Sequence, residues 1–246
     1  MEPFRPFTLF HGATLLCLAV LIGLAVTQGR MRYLRRNAQA PTDFERSLAY
    51  ANIAVWIVAH GWWQMSGRFD PTTTLPLQMC HTSLIASAVL LTRHDRQHRP
   101  LHAILYFWSF GLCTQAMITP SLVEPPTSPV FWSFWFLHGF VMMAAIYDLV
   151  VYAFRPTWRD YGMACAASAV YVALVLPLNI ALGANYGFVG NSRPLHPSIV
   201  DMLGPWPARL LIIVPLAALV MALLMLPWML ASKLKRRPHA SKLSHS

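Results

Sequence analysis

Residues 210–230 of this chain, LLIIVPLAALVMALLMLPWML, contain no charged side chain and decide the fold class. A helix that crosses the hydrocarbon core of a bilayer needs about 20 mostly apolar residues, and this stretch is long enough. The whole chain has the same character, with 56% hydrophobic and 11% charged residues. Soluble domains average about 25% charged residues. The composition therefore predicts an integral membrane protein.

Six further apolar blocks precede this stretch, each bounded by charged residues, proline or glycine. The first lacks a basic start and a small-residue cleavage site, so we interpret it as a retained helix. The expected fold is all-α, a polytopic bundle of seven transmembrane helices within one domain over residues 1–231. An external loop is expected over residues 183–209, and a basic, disordered cytoplasmic tail over residues 232–246. The predicted helices cover residues 7–27, 47–64, 75–92, 101–119, 130–154, 161–182 and 210–230.

The distribution of lysine and arginine between alternate loops predicts the orientation. Fifteen of the 19 basic residues lie in the loops after the first, third and fifth helices and in the C-terminal tail. Cytoplasmic loops carry such an excess, so the N-terminus is predicted outside and the C-terminus in the cytoplasm. We expect a multi-pass protein of the plasma or inner membrane with membrane lipids as its partners. Nucleic acid is not an expected partner, because the basic residues form short runs rather than one face of a soluble domain.

Polar side chains within the predicted helices cluster toward the outer surface. Such residues are costly in a bilayer, so their positions indicate where function or helix packing requires them. At about 1.5 Å per residue, His138 lies about 12 Å below the outer surface. The pattern predicts a polar cavity in the outer half, and helix packing alone is the alternative explanation. The outer-half residues are His60, Gln64, Gln78, Cys80, His81, Thr82, Cys113, Thr114, Gln115, His138 and Asn179.

Cys80 and His138 have compatible depths on different helices. A thiolate nucleophile with an imidazole base is the minimal pair for acyl transfer, and His81 is an alternative base. Three histidines, including His60, could also ligate a haem or a metal, and Cys80 with Cys113 could form a redox pair. The four cysteines form no CxxC motif, so we predict no cofactor and no metal.

Segments from the third helix to the start of the seventh carry a family resemblance. The chain resembles the YwaF-like family of bacterial integral membrane proteins, which is related to the eukaryotic transmembrane-protein-164 lipid acyltransferases. The resemblance implies acyl transfer between phospholipids, with Cys80 as nucleophile and His138 as base. Gln78 stands where the bacterial motif usually has histidine. The matching residues are Leu75-Pro-Leu-Gln-Met-Cys80, Gln115-Ala-Met-Ile-Thr-Pro120, His138, Asn179, Gly183-Ala-Asn-Tyr186 and Pro194–Pro207, which includes the specific segment Asp201-Met-Leu-Gly-Pro-Trp-Pro207.

The leading functional hypothesis is a lipid-active thiol acyltransferase or hydrolase at the outer leaflet, with a cysteine nucleophile. Gln115 and Asn179 are expected to hold the substrate or the developing oxyanion. The alternative is a transporter or binding protein for a small molecule or lipid without covalent catalysis. An assembly factor whose polar residues only pack helices is a third possibility. The remaining predicted substrate-binding residues are Gln78 and His81 beside the nucleophile, and Asn185, Tyr186 and Asp201 in the external loop.

Overall fold

A computed structural model describes residues 4–36, 41–65, 67, 69–92, 98–120, 122–191 and 202–236. Within these ranges the regular secondary structure is entirely helical. Two short 3₁₀ turns, Met79–His81 and Tyr186–Phe188, accompany the longer helices. The longer helices are α1 (Leu9–Arg36), α2 (Asp43–Met65), α3 (Thr82–Thr92), α4 (Arg99–Ile118), α5 (Pro129–Val150), α6 (Trp158–Leu182), α7 (Leu210–Leu223) and α8 (Leu226–Arg236).

Five helical segments of the described chain are long and apolar enough to cross a membrane. They are α1, α4, α5, α6 and the segment Leu210–Leu234, which contains α7 and most of α8. Their outward surfaces are apolar, since Leu16 is 67% exposed, Leu174 is 70% exposed and Leu211 is 81% exposed. A surface of this kind is unfavourable in water and matches the acyl chains of a bilayer.

Helix α5 forms the centre of the bundle and contacts α1, α2, α3 and α4. In the apolar 18-residue stretch of α5, 61% of the residues are buried, compared with 11% in the corresponding stretches of α1 and α6. The helix starts at Pro129, after Ser128 accepts a hydrogen bond from the backbone N–H of Val130. Small residues allow close packing. At Gly29 of α1 an added Cβ would lie 2.1 Å from the ring of Tyr147.

One end of the bundle, here called the basic end, brings together Arg30, Arg99 and Arg155. The guanidinium of Arg99 binds both carboxylate oxygens of Asp160, at 2.8 and 2.6 Å. Asp160 also forms a capping box with Thr157 at the start of α6. Arg30 donates to the carbonyl of Val150 at 2.8 Å. These bonds join the start of α4 and the end of α1 to the connection between α5 and α6.

The opposite end, here called the lid end, contains residues 4–8, 69–78, 119–120, 122–128 and 183–191. The backbone N–H of Phe4 donates to the carbonyl of Val123 at 3.1 Å. His11 bonds through Nε2 to the carbonyl of Met117 at 2.9 Å. The hydroxyl of Tyr186 donates to the carbonyl of Pro71 at 2.8 Å. The chain therefore returns to this end between α2 and α3, between α4 and α5, and between α6 and α7.

Helix α3 begins at Thr82, later than the predicted start at residue 75. The backbone of the preceding residues bonds to side chains instead of continuing a helix. Leu75 donates its N–H to the hydroxyl of Tyr186 at 2.9 Å, and the carbonyl of Leu77 accepts from the hydroxyl of Tyr171 at 2.6 Å. Cys80 therefore lies in the 3₁₀ turn before α3.

The predicted seventh helix is interrupted between α7 and α8. Pro227 explains the break, because proline lacks a backbone N–H and its ring clashes with the carbonyl four residues earlier. Helix α8 continues to Arg236, so the expectation that the tail is disordered from residue 232 is wrong for residues 232–236. Helix α1 likewise continues to Arg36, beyond the predicted end at residue 27. The other helices begin and end within a few residues of the predicted bounds.

Candidate functional site

A cavity of about 720 Å³ lies between α4, α5, α6 and α7 near the lid end. Ligand pockets commonly measure roughly 300–1,000 Å³. Most of the lining is apolar, with a few polar side chains among it, of which Gln78 and Gln115 lie toward the lid end. The polar lining residues are Gln78, Gln115, His138, Ser168 and Tyr171, with the thiols of Cys113 and Cys165. The lining therefore suits a ligand with an apolar body and one polar group.

The wall formed by α4 contains a π-helical segment, Ser109–Cys113. The backbone N–H and the hydroxyl of Thr114 both donate to the carbonyl of Ser109, the hydroxyl at 3.1 Å. Such widened turns occur frequently at functional sites. The segment brings Gly111 and Cys113 to the cavity, with Gln115 in the following turn.

His138 projects from α5 into the cavity wall and is only 5% exposed. Its Nδ1 lies 2.8 Å from the carbonyl oxygen of Phe134. A carbonyl can only accept a hydrogen bond, so Nδ1 carries a proton, and in the neutral imidazole Nε2 then carries the lone pair. Among the described residues, no partner occupies Nε2. The imidazole is thus held in the tautomer that accepts a proton at Nε2, as a general base must.

Cys80 lies in the turn Met79–His81, directly after the cavity-lining residues Gln78 and Met79. Met79 lines the cavity, and the turn packs against both α5 and the π-helical segment. The turn leads into the N-terminus of α3, where backbone N–H groups favour an anion such as a thiolate. The side chain of Cys80 lies outside the part of the chain that the structure describes.

His81 faces α2 and does not line the cavity. Its Nδ1 accepts a hydrogen bond from the indole N–H of Trp56 at 2.9 Å, and its ring lies 4.7 Å from that of His60. His60 in turn bonds to the carbonyl of Trp56 at 2.8 Å. Within the described residues, no three His, Cys, Asp or Glu side chains are grouped as metal ligands. The side chain of Gln64 is outside the described residues.

Residues 184–191, here called the lid, cover the cavity, and Gly187, Phe188 and Val189 line it. The side chain of Asn179 holds the lid from α6. Its amide donates to the carbonyl of Tyr186 and accepts from the Tyr186 N–H, both at 2.9 Å. Both ends of this amide are therefore engaged by the lid backbone, and Asn179 is not among the residues that line the cavity.

Asn185 and Arg209 fasten the other end of the lid. Asn185 accepts hydrogen bonds from the backbone N–H of Gly190 at 2.9 Å and from Arg209 at 3.2 Å. Arg209 is 4% exposed and also donates to the carbonyl of Gly190. The indole of Trp206 donates to the carbonyl of Val189 at 3.1 Å. Asn185 and Tyr186 thus build the lid, while Asp201 lies outside the described residues.

Several residues of the cavity and of the lid attachment were not predicted from the sequence. Tyr171 and Ser168 lie in the middle of α6, among residues that read as an ordinary apolar helix. Arg209 appears in the sequence only as a helix-flanking basic residue. Gly187 gives a weak signal, since a glycine follows Asn-Tyr in a loop that is rich in turn-forming residues.

Comparison with known proteins agrees with this architecture. No curated protein and no solved structure matches the chain. A family model described as the TMEM164 family matches residues 6–225. The match includes α1 to α7, the turn that contains Cys80, the π-helical segment and the lid. The chain, a multi-pass integral membrane protein, therefore belongs to the TMEM164 family.

Proposed function

We propose that this protein is a lipid-active thiol acyltransferase or hydrolase with Cys80 as nucleophile and His138 as general base. One observation carries the proposal. One mostly apolar cavity is lined by His138 and Gln115, borders the turn that holds Cys80, and is covered by the lid. The apolar wall suits an acyl chain, and the polar residues near the lid end suit its ester group.

The proposed reaction has two half-reactions. The Cys80 thiol gives its proton to Nε2 of His138, and the sulfur attacks the acyl carbonyl carbon. The ester C–O bond then breaks, His138 returns the proton to the leaving alkoxide, and a thioester remains on Cys80. In the second half, His138 takes the proton of a lysophospholipid hydroxyl, or of water for hydrolysis, as that oxygen attacks the thioester. The thiolate leaves and takes the proton back.

We further propose seven membrane crossings with the lid end outside and the basic end in the cytoplasm. The basic residues of the basic end support this orientation. The crossing by α2, which is not among the five apolar spans, is supported by contacts at its two ends. Glu45, in its first turn, accepts hydrogen bonds from Tyr147 and Thr42. At the far end, residues 71–75 bond to the lid through Tyr186.

Acyl transfer by purified protein in lipid nanodiscs tests the proposal. The donor is a labelled phospholipid, the acceptor is a lysophospholipid, and release of free fatty acid measures hydrolysis. Wild type should form product, while Cys80→Ala and His138→Ala should not. Cys17→Ala is the matched control, because Cys17 is exposed on α1, away from the cavity. Intact mass measurement should detect an acyl adduct on wild type that Cys80→Ala lacks.

Two results would overturn the catalytic proposal. One is equal product from wild type and folded Cys80→Ala; the other is no product or adduct from any folded variant. Lipid bound equally by wild type and Cys80→Ser, without product, would favour a binding or transport protein. The apolar cavity is the observation that supports that second function.

A further inference from the structure

We infer that the side-chain amide of Gln78 is the hydrogen-bond donor that binds the acyl carbonyl oxygen in this cavity. The inference rests on the proposed function, and it replaces Asn179 in the role of oxyanion donor. Gln78 lines the cavity two residues before Cys80. The Gln78 carbonyl accepts from the backbone N–H of His81 at 3.0 Å, so Gln78 and Cys80 belong to the same turn.

The lid determines which way the Gln78 amide faces. The backbone N–H of Gly187 lies 3.2 Å from Oε1 of Gln78. A backbone N–H can only donate, so the amide oxygen must face the lid and Nε2 must occupy the other position. Among the described residues, no acceptor is bonded to Nε2. These amide N–H groups belong to Gln78, a residue of the cavity wall that directly precedes the turn containing Cys80.

Gly187 is itself held in place by two constraints. Its φ of +63° is a conformation that glycine adopts readily and other residues rarely adopt. A Cβ at this position would also lie 2.6 Å from the hydroxyl oxygen of Tyr171. That hydroxyl donates to the carbonyl of Leu77, the residue before Gln78. Tyr171 therefore positions the backbone of Leu77, and Gly187 positions the side chain of the next residue, Gln78.

This arrangement has the chemistry of an oxyanion donor. As the Cys80 sulfur attacks, the carbonyl oxygen gains negative charge, and a preorganised N–H bond becomes stronger. No bond to Gln78 is made or broken. Loss of one such donor typically lowers kcat by about 100-fold to 1,000-fold. The Gly187 N–H fixes Oε1 of Gln78. If the lid opened, this bond would break and Nε2 of Gln78 would lose its fixed position as well.

Two variants of Gln78 distinguish the role of its amide N–H as a donor from the role of its oxygen in binding the lid. Gln78→Glu keeps an oxygen for the Gly187 N–H but loses the N–H donors, and it should lower kcat by about 100-fold with a smaller change in KM. Gln78→His offers one acceptor and one N–H, and it should retain more activity than Gln78→Glu. Gln28→Glu, exposed on α1 near the basic end, controls for the added charge.

A measurement without turnover tests Gln78 separately from catalysis. In the Cys80→Ala background, which cannot form a thioester, one equivalent of the donor phospholipid with a ¹³C-labelled ester carbonyl is added. Infrared spectroscopy should show the bound carbonyl band at lower frequency than in empty nanodiscs. The shift should disappear in the Cys80→Ala, Gln78→Glu double variant.

The two measurements distinguish the two failures. An active wild type with an equally active Gln78→Glu overturns the role of Gln78 and leaves the proposed function standing. An inactive wild type whose carbonyl shift depends on Gln78 overturns the catalytic function, while Gln78 remains the group that binds an ester carbonyl. An identical band in the single and double variants overturns the inference about Gln78.

Discussion

Tyr186 joins three separate segments of the chain at the lid end. Its hydroxyl contacts the backbone of Pro71 and Leu75, and its own backbone pairs with the Asn179 amide. Burial raises the pKa of the phenol above its ordinary value of 10.0. The N–H of Leu75 opposes this shift, and the negative charge of Asp70 adds to it. The phenol is therefore neutral at physiological pH, when its hydroxyl can donate to Pro71.

We expect the lid to loosen in strong alkali. The pKa of Tyr186 is higher in the folded protein than in the unfolded chain, so its contribution to stability is complete below pH 10.0. That contribution is lost as the pH rises through the raised pKa, because the phenolate cannot donate to Pro71. A spin label at the exposed position Asn191 should become more mobile over that range. In Tyr186→Phe the label should be more mobile at pH 7 and show no such step, and a step of equal size would contradict the assignment.

Replacing Asn179 should lower the stability of the lid, and not only the rate of the reaction. Asn179→Ala leaves the buried N–H of Tyr186 without its partner, whereas the Tyr186 carbonyl keeps its bond from the N–H of Val189 at 3.4 Å. One unpaired buried group costs about 1–3 kcal/mol. We expect the free energy of unfolding in detergent to fall by about 2 kcal/mol. Ile180→Ala is the control, because Ile180 is 61% exposed on the outer surface of α6. Equal stability of the two variants would contradict the structural role of Asn179.

At the scale of elements, the π-helical segment and α7 together set the depth of the cavity. Gly111 of the segment and Met221 of α7 both line it, and a Cβ at Gly111 would lie 3.3 Å from the Cγ of Met221. The two elements therefore pack closely because residue 111 has no side chain. A larger residue must either displace α7 or occupy cavity volume.

Gly111→Leu should shift the preference of the protein toward shorter acyl chains. One methylene in an apolar pocket is worth about 1–3 kcal/mol, so the rate with long chains should fall about tenfold or more relative to short chains. Competition between labelled donors of different chain lengths measures the ratio. Gly162→Leu on α6 is the control, since a Cβ there contacts nothing within 4 Å. An unchanged ratio in Gly111→Leu would show that the chain does not reach this wall.

The elements also show what local sequence can predict. Long apolar stretches such as residues 158–182 are recognisable because one helix must satisfy its own backbone in lipid. The turn at Cys80 was not predicted, because Tyr171 and Tyr186, which bond to its backbone, lie far away in sequence. The π-helical segment has no comparable composition signal. His138 and Gln115 were predicted from polarity and depth. The pairing of Asn179 with Tyr186 could not be predicted, because it depends on how the lid folds back onto α6.

At the scale of the whole molecule, the contacts at the two ends of the bundle agree with the sidedness proposed above. Residues near the N-terminus contact the connection between α4 and α5, and the lid contacts the connection between α2 and α3. The basic residues Arg30, Arg99 and Arg155 meet at the other end. The proposed seven crossings, an odd number, would place the first residues and the end of α8 on opposite sides of the membrane.

Reporter fusions should confirm this sidedness. Green fluorescent protein fused after Ser246 should fluoresce, because it folds in the cytoplasm, whereas alkaline phosphatase at that position should be inactive. Alkaline phosphatase fused after Leu182, at the end of α6, should be active. The opposite pattern at both positions would invert the topology, and matching activities at both would contradict the crossing by α7.

The thin wall formed by α7 has a kinetic consequence. Val214 of this helix lines the cavity, while Leu211 and Leu219, which do not line it, are 81% and 55% exposed, so on this side α7 separates the cavity from the acyl chains of the bilayer. A lipid substrate would reach such a site from the plane of the membrane, without passing through water. The rate should then follow the mole fraction of substrate in the nanodisc and stay constant when nanodiscs of fixed composition are diluted in buffer. Surface-dilution kinetics, in which an inert lipid replaces the substrate lipid, would make that dependence visible.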